Sequence, residues 1–317
     1  MLGADIDRVL LGAGPTPVRP LELSGASDVW LKDEGAYGTG GWGGNKVRKL
    51  EWIIPEAHRR GRSTLFTVGG IGTHWGLAAA LYGREHGLRT VLGLVAQPVD
   101  DHVREQTRRI DASSAAVHRF ASTTRLKLAA PWLLVRYSSR GRLPYYLPAG
   151  GSSPVGTLGY VQTALEIADQ VAAGELPEPA TVVTAVGSGG TAAGLLLGLR
   201  LAGLRTRVHA VVVNDAFPLD APVLARLANA TADLLRERGA TLPSLVLGPD
   251  DLDADRRWLG ETYGATTPEG AAALEEASRL GLELEPVYTA KALAAIRGLD
   301  LPGPVLYLQT HGPRDRT

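Results

Sequence analysis

The chain has 317 residues, enough for one large domain or two intimate ones with a substantial core. Hydrophobic residues make up 44% and charged residues 21%, as in an ordinary soluble protein, and Lys plus Arg balance Asp plus Glu at 33 each, so no basic field points to nucleic acid. Cysteine is absent, which removes disulfides, thiolate metal sites and a cysteine nucleophile, and is compatible with the cytoplasmic location expected here.

The N-terminus, Met1-Leu2-Gly3-Ala4-Asp5-Ile6-Asp7, has neither a basic n-region nor an apolar h-region, so no signal peptide is expected. Further on, Val47, Leu50, Ile53, Ile54 and Ala57 fall on one helical face, with Gly61 as a stop and His58, Arg59, Arg60 and Arg62 suited to a helix C-terminus. Residues 64–68 predict a buried strand, 69–73 a loop, 74–85 a helix and 90–95 a strand. Further helix and strand signals cover 100–110, 115–120 and 124–138, before a Pro- and Gly-rich break at 142–152. A helix over 156–173, a strand over 181–186, a glycine loop, a helix over 191–202 and a strand over 208–213 follow. The stretch 192–199 is the most apolar, but Arg200 breaks it and it is far too short to span a bilayer, so no membrane partner is expected. Strands alternating with helices predict an α/β fold of two open-sheet lobes, each mostly parallel and covered on both faces.

Two motifs carry chemistry. Lys46 closes the run Gly41-Trp42-Gly43-Gly44-Asn45-Lys46 and opens a helix, where positive potential favours the neutral, nucleophilic amine that a Schiff-base lysine needs. Lys49 lies one turn further on, and its amine is expected to be carried away from the loop. The second motif, Gly187-Ser188-Gly189-Gly190-Thr191, sits between a strand and a helix. Its amides and hydroxyls suit a terminal phosphate monoester. With Ala192 it also satisfies G-x-G-x-x-A, and Asp215 follows the next strand, so a dinucleotide site and a purely structural turn remain alternatives. A reactive amine plus a phosphate cradle points to pyridoxal phosphate.

Other chemistries have weaker support. The histidines show no paired helical spacing and HExxH is absent, so no metal site is expected. Asp250-Asp251-Leu252-Asp253-Ala254-Asp255 lacks the central Gly and closing Glu of a calcium loop and reads as a solvated acidic turn. Gly150-Gly151-Ser152-Ser153-Pro154 has Pro where a hydrolase elbow needs Gly.

The ordered set Pro15-Thr16-Pro17, Gly43 to Glu51, Gly69-Gly70-Ile71, Gly150-Gly151-Ser152, Gly187 to Thr191, Tyr263-Gly264 and Pro286-Val287-Tyr288-Thr289 resembles the 1-aminocyclopropane-1-carboxylate deaminase/D-cysteine desulfhydrase family of fold-type II (tryptophan synthase β-like) pyridoxal phosphate enzymes, nearly end to end. The resemblance implies that Lys46 bonds the cofactor and that Gly187, Ser188, Gly189, Gly190 and Thr191 hold its phosphate, with Lys49 near by. It implies that Tyr263, Tyr288 and Thr73 serve the substrate side, and that His74 and Thr310 contact the cofactor. A large cofactor-binding domain (1–49 with 150–317), a small α/β domain (50–149), the cofactor between them and a homodimeric assembly are the matching expectations.

The same resemblance bears on reaction type. In ring-opening members the residue after the Val-Tyr tyrosine is acidic and faces the pyridine nitrogen, whereas here it is Thr289, and Thr310 is again a threonine. A hydroxyl sustains a weaker electron sink, which suits elimination of a good leaving group. The expectation is α,β-elimination on a small amino acid of the D-cysteine desulfhydrase kind, with ring opening, β-replacement and cofactor binding without turnover as alternatives. Gly72-Thr73-His74-Trp75 and Thr310-His311-Gly312 depart from the family's usual Gln-Ser-Asn-His and Thr-Gly-Gly, so altered specificity, tuned by His74 and Trp75, is expected. Packing roles for Trp75 and His311 stay open at this stage.

Overall fold

Parallel strands form two sheets in the structure, a computed structural model that describes residues 3–38, 43–99 and 101–312. Gly41 and Trp42 of the first glycine run, and Asp100 at the expected helix start, lie outside the described residues. The larger sheet runs β1 (Val18–Pro20), β2 (Val29–Asp33), β10 (Val305–Gln309), β7 (Thr181–Val186), β8 (Arg207–Val212), β9 (Leu252–Asp255), and only the β1–β2 pair is antiparallel. Every residue of β7 and β10 is buried, as central parallel strands covered on both faces require. The smaller sheet is all parallel, in the order β5 (Ala116–Phe120), β4 (Arg89–Val95), β3 (Thr64–Gly70), β6 (Tyr145–Leu147).

Helices cover these sheets. α1 (Asn45–Arg59) packs on α5 (Pro154–Ala172), which packs on α6 (Gly190–Leu201), and α7 (Ala221–Glu237) joins that layer. On the opposite face, α8 (Pro268–Arg279) and α9 (Thr289–Gly298) close a second core with Val183, Val211 and Tyr307. Around the smaller sheet lie α2 (His74–Glu85), α3 (Asp101–Ala112) and α4 (Thr123–Arg136). The expected α2 and β7 coincide with the observed ones, and the expected Gly61 stop follows the end of α1.

The acidic run from Asp250 is not a solvated turn. It is a short 3-10 turn followed by the edge strand β9, whose carboxylates are paired: Asp253 with Arg207 at 2.7 Å, and Asp255 with Arg257 at 2.8 Å. Charged partners allow acids to alternate along a strand that would otherwise disfavour them.

Helix starts fall into two groups. α2, α4, α5, α7 and α8 each begin on a side chain (Thr73, Ser122, Ser153, Asp220 and Thr267) that accepts a backbone N–H three residues on. α1, α6 and α9 have no such cap residue.

Instead, α1 is fixed by ions. Arg48 donates to Glu34 at 2.6 Å and to Glu166 of α5 at 2.9 Å, and Lys32 of β2 donates to Glu166 at 2.6 Å. The Thr16 amide also donates to Glu166, at 2.7 Å. Burial would raise the Glu166 pKa, but the Arg48 and Lys32 charges and hydrogen bonds overcome it and hold the group at about 2.

Removing Glu166 strands two buried cations. Glu166→Ala should cost roughly 3–5 kcal/mol of stability, read from denaturant unfolding. Because the folded pKa is depressed, the stabilisation is complete above the ordinary value of 4.5 and is lost as pH falls towards about 2. Thermal melts below that ordinary value should therefore decline more steeply for the native chain than for Glu166→Gln; parallel declines would contradict the assignment.

Candidate active site

The start of α1 meets the end of β10. Gly44, at φ 87°, sits so close to the Thr310 carbonyl and the Gly312 amide that an added Cβ would lie 3.0 Å from each. Asn45 N–H then donates to the Thr310 carbonyl at 3.4 Å. This contact carries Lys46 to the carboxyl end of the central strands, where open parallel sheets bind ligands.

The second glycine loop closes on the same place. At Gly187 a Cβ would fall 2.5 Å from the Tyr288 ring, and at Gly190 it would fall 2.8 Å from Ser152 Oγ and 3.1 Å from Lys49 Nζ. Only glycine leaves that room. Ser152 Oγ accepts the Gly190 N–H at 2.9 Å and donates to Ser188 Oγ at 2.9 Å. Gly150 borders both Ser188 Oγ and Lys46 Nζ, and its carbonyl accepts from Lys49 Nζ at 2.9 Å. Thr191 is buried in the first turn of α6. Lys46, Lys49, Ser188, the glycines from 187 to 190 and Tyr288 therefore form one cluster.

Lys49 corrects the expectation that its amine leaves the loop. Helical side chains lean towards the N-terminus, so a long one a turn further on returns to the helix start. The two amines then sit in one desolvated pocket. Burial lowers the Lys46 pKa to about 8, with Glu285 opposing the fall. Burial, and next the charge of Lys46, push Lys49 well below its ordinary value. A glycine-lined cradle at an uncapped helix N-terminus beside two crowded amines could hold a phosphate group and an aldehyde.

Tyr263 and Tyr288 share a hydrogen bond at 2.7 Å, and burial raises both phenol pKa values. Asp215, considered as a ribose-binding acid, instead accepts from the Thr262 hydroxyl at 2.8 Å and the Tyr263 amide at 3.2 Å. It anchors the loop that presents Tyr263, which removes the ribose reading. Thr73 Oγ1 caps α2 by accepting the Gly76 N–H at 3.1 Å. His74 lies in the first turn of α2, with its ring 6.4 Å from that of His311, which follows β10.

Thr289 is not a strand residue. It opens α9, is 1% exposed, and donates its hydroxyl to Glu285 at 3.1 Å. Glu285 was missed in the sequence, although an acid shortly before a helix start is a signal that recognising α9 would have exposed. Trp75 is likewise settled by its contacts. It is 3% exposed, its indole N–H donates to Thr67 Oγ1 at 2.8 Å, and its ring lies against Gly151. It wedges α2 against β3 and backs the 150–152 turn of the cluster, with its N–H committed to Thr67, so a packing role is the one its contacts support.

Among the described residues no group of three or more His, Asp, Glu or Cys side chains could hold a metal ion, and no helix is long and apolar enough to cross a membrane.

The sequence profile of the pyridoxal-phosphate dependent enzymes matches residues 9–308. The chain belongs to that family, and its cofactor is pyridoxal phosphate. It is 32% identical over 282 residues to the D-cysteine desulfhydrase of Klebsiella pneumoniae (strain 342), covering 85% of this chain and 82% of that protein. It is also 32% identical over 292 residues to a Pyrococcus abyssi (strain GE5 / Orsay) protein provisionally named 1-aminocyclopropane-1-carboxylate deaminase, covering 90% and 84%. The crystal structure of a homologue of that deaminase superposes with a TM-score of 0.78 at 28% identity, over 98% of this chain and 93% of the other. O-ureido-L-serine synthase, with a TM-score of 0.61 and 18% identity over 93% and 89%, shares the fold. The fold-type II α/β architecture expected from the sequence is the one observed.

Trp75→Phe deletes both the bond to Thr67 and the outer indole edge that packs on Gly151, so it should cost roughly 2–4 kcal/mol of stability, with the Thr67 hydroxyl keeping its bond to Leu147. Cofactor affinity should be unchanged in equilibrium dialysis. A large loss of cofactor with native stability would return Trp75 to the site.

Proposed function

We propose that the protein is a pyridoxal phosphate-dependent lyase that eliminates a β-substituent from a small amino acid, in the manner the name D-cysteine desulfhydrase describes for its Klebsiella relative. Lys46 carries the cofactor, Gly187 to Thr191 with Lys49 hold its phosphate, and Thr73, Tyr263 and Tyr288 serve the substrate, with His74, Thr289 and Thr310 bordering the cofactor. We further propose a cytoplasmic homodimer, with residues 1–49 and 150–317 as the large domain and 50–149 as the small one.

The observation that carries the reading is the placement of Lys46. Its Nζ borders Gly150, whose other neighbour is the Ser188 hydroxyl, and burial lowers its pKa to about 8, so a useful fraction is neutral near neutral pH. When bound, the cofactor supplies an electron-withdrawing ring that stabilises negative charge at the substrate's α-carbon. Lys46 would hold it, and as a neutral amine would take the substrate's α-proton. The Tyr263–Tyr288 pair offers a phenol to the departing group. Thr289, a hydroxyl where ring-opening relatives need an acid, supports elimination.

One observation favours ring opening instead. Glu285 stands directly behind Thr289 and accepts its hydroxyl proton at 3.1 Å, so a carboxylate does act on this position through one intervening group.

Two measurements separate these readings. Borohydride reduction followed by peptide mapping should place the pyridoxyl group on Lys46, and Lys46→Ala should lose the visible absorbance; a label on Lys49 would sink the assignment. D-cysteine or a β-chloro amino acid should give pyruvate at least about tenfold faster than 1-aminocyclopropane-1-carboxylate gives 2-oxobutanoate. Faster consumption of the cyclopropane would select the second reading.

A further inference from the structure

Of the three helices that start at the site without a cap residue, α9 is the one whose first amides are filled by a carboxylate. Glu285 Oε1 accepts from the Tyr288 N–H at 2.8 Å and the Thr289 N–H at 2.6 Å, and Oε2 accepts from the Val287 N–H at 2.9 Å. The Thr289 hydroxyl reaches back, accepting the Glu285 N–H at 2.9 Å while facing Oε1 at 3.1 Å. The Glu285 carbonyl then takes the Ala290 N–H at 3.1 Å. This reciprocal lock leaves the turn from 285 to 289 little freedom. It sets the Tyr288 ring against Gly187 and in reach of Tyr263, and the Tyr307 hydroxyl secures the far side by donating to the Thr289 carbonyl at 2.9 Å.

The surroundings make the charge of Glu285 matter. The titratable groups that face it are Lys46 from α1, Tyr263 from the loop before α8, Tyr288 and Lys291 at the start of α9, and Tyr307 from β10. Lys291 already donates its amine to the Leu259 carbonyl at 2.6 Å. The phenols carry no charge near neutral pH. Lys46 is thus the cation in this set whose amine the cluster leaves for chemistry. By filling the α9 N-terminus with its own carboxylate, the chain also repels a second anion there and leaves α6 as the place for a phosphate.

We propose that Glu285 is a positioning residue of the active site: its carboxylate locks the 285–289 turn that delivers Tyr288 and Thr289, and in its ionised form it acts on the Lys46 amine. Burial opposes that form and the three backbone N–H donors favour it. The proposal rests on Lys46 being the cofactor lysine.

Acetylation of Lys46 in the full-length, cofactor-free chain, followed across pH by peptide mass, reads the charge without any substrate. Retention of pyridoxal phosphate, followed by visible absorbance during dialysis, reads the positioning. Deleting the negative charge with Glu285→Gln should move the Lys46 midpoint to lower pH by about one unit. It should also weaken cofactor retention about tenfold, because the amide's NH2 group now faces a backbone N–H. Glu285→Asp keeps the carboxylate and should restore both. A folded Glu285→Gln chain with a native midpoint and native retention would overturn the proposal. If that chain does not fold, Thr289→Val, which removes the hydroxyl half of the lock, decides: weakened cofactor retention supports the role and native retention overturns it. A shifted midpoint with the pyridoxyl group found on Lys49 would support Glu285 while sinking the cofactor assignment, so the two failures are distinguishable.

Discussion

Three basic side chains crowd the start of α1, where the helix dipole is already positive, and the structure depends on how that crowding is offset. The dipole itself opposes each cation by only about 0.3–1 kcal/mol at an exposed site, whereas taking a charge out of water costs several. Burial therefore decides the arrangement. Arg48 is 1% exposed, and it survives because Glu34 and Glu166 answer it with a forked set of hydrogen bonds. Lys46 and Lys49 leave the helix on another side, where Lys49 has a neutral carbonyl as its partner. Burial lowers both pKa values, opposed at Lys46 by Glu285 and reinforced at Lys49 by the charge of Lys46, so an anion such as a phosphate would complement the pair. One side of α1 is satisfied permanently so that the other can be satisfied by a ligand.

The same division governs the other helix starts. Five are closed by hydroxyl or carboxylate caps, which settles their orphan N–H groups within the fold. At α6 the cap position is Gly189, in the left-handed region at φ 92°, and no side chain covers the loop amides apart from Ser152 at Gly190. Open amides at the carboxyl end of a buried parallel sheet are costly to leave unmade, and they are tolerated where a ligand completes them. Cap usage thus separates the helix ends closed by a side chain from α6, whose loop amides stand at the proposed phosphate site.

Much of this was legible in the sequence because it is local. A periodic apolar face outlined α1, a β-branched run outlined β7, and glycine spacing marked the cradle. What was missed depends on contacts between distant segments. Asp215 follows its strand where a ribose-binding acid would, and only the loop around Tyr263 reveals that it serves as an anchor. Trp75 sits in the reactive-looking stretch after β3, yet its orientation was decided by the space above Gly151. α9 is buried from Thr289 through Ile296, so it has no polar face and no helical periodicity to read. With α9 invisible, Glu285 had no reason to stand out.

The cofactor end and the substrate end of this site are built differently, and that bears on which one can change. The cofactor end is held by glycines with no room for a side chain and by a buried ionic network shared among α1, β2 and α5, so most substitutions there lose packing and charge balance together. Elsewhere in the cluster, α2 from the smaller sheet meets the segment after β10 from the larger, with the His74 and His311 ring centroids 6.4 Å apart. A contact made between two sheets can vary without disturbing the core of either. The departures from the family pattern at Thr73, His74 and His311 fall in this region. A chain can therefore keep the cofactor chemistry of its family while its substrate drifts, because the two depend on different parts of the fold.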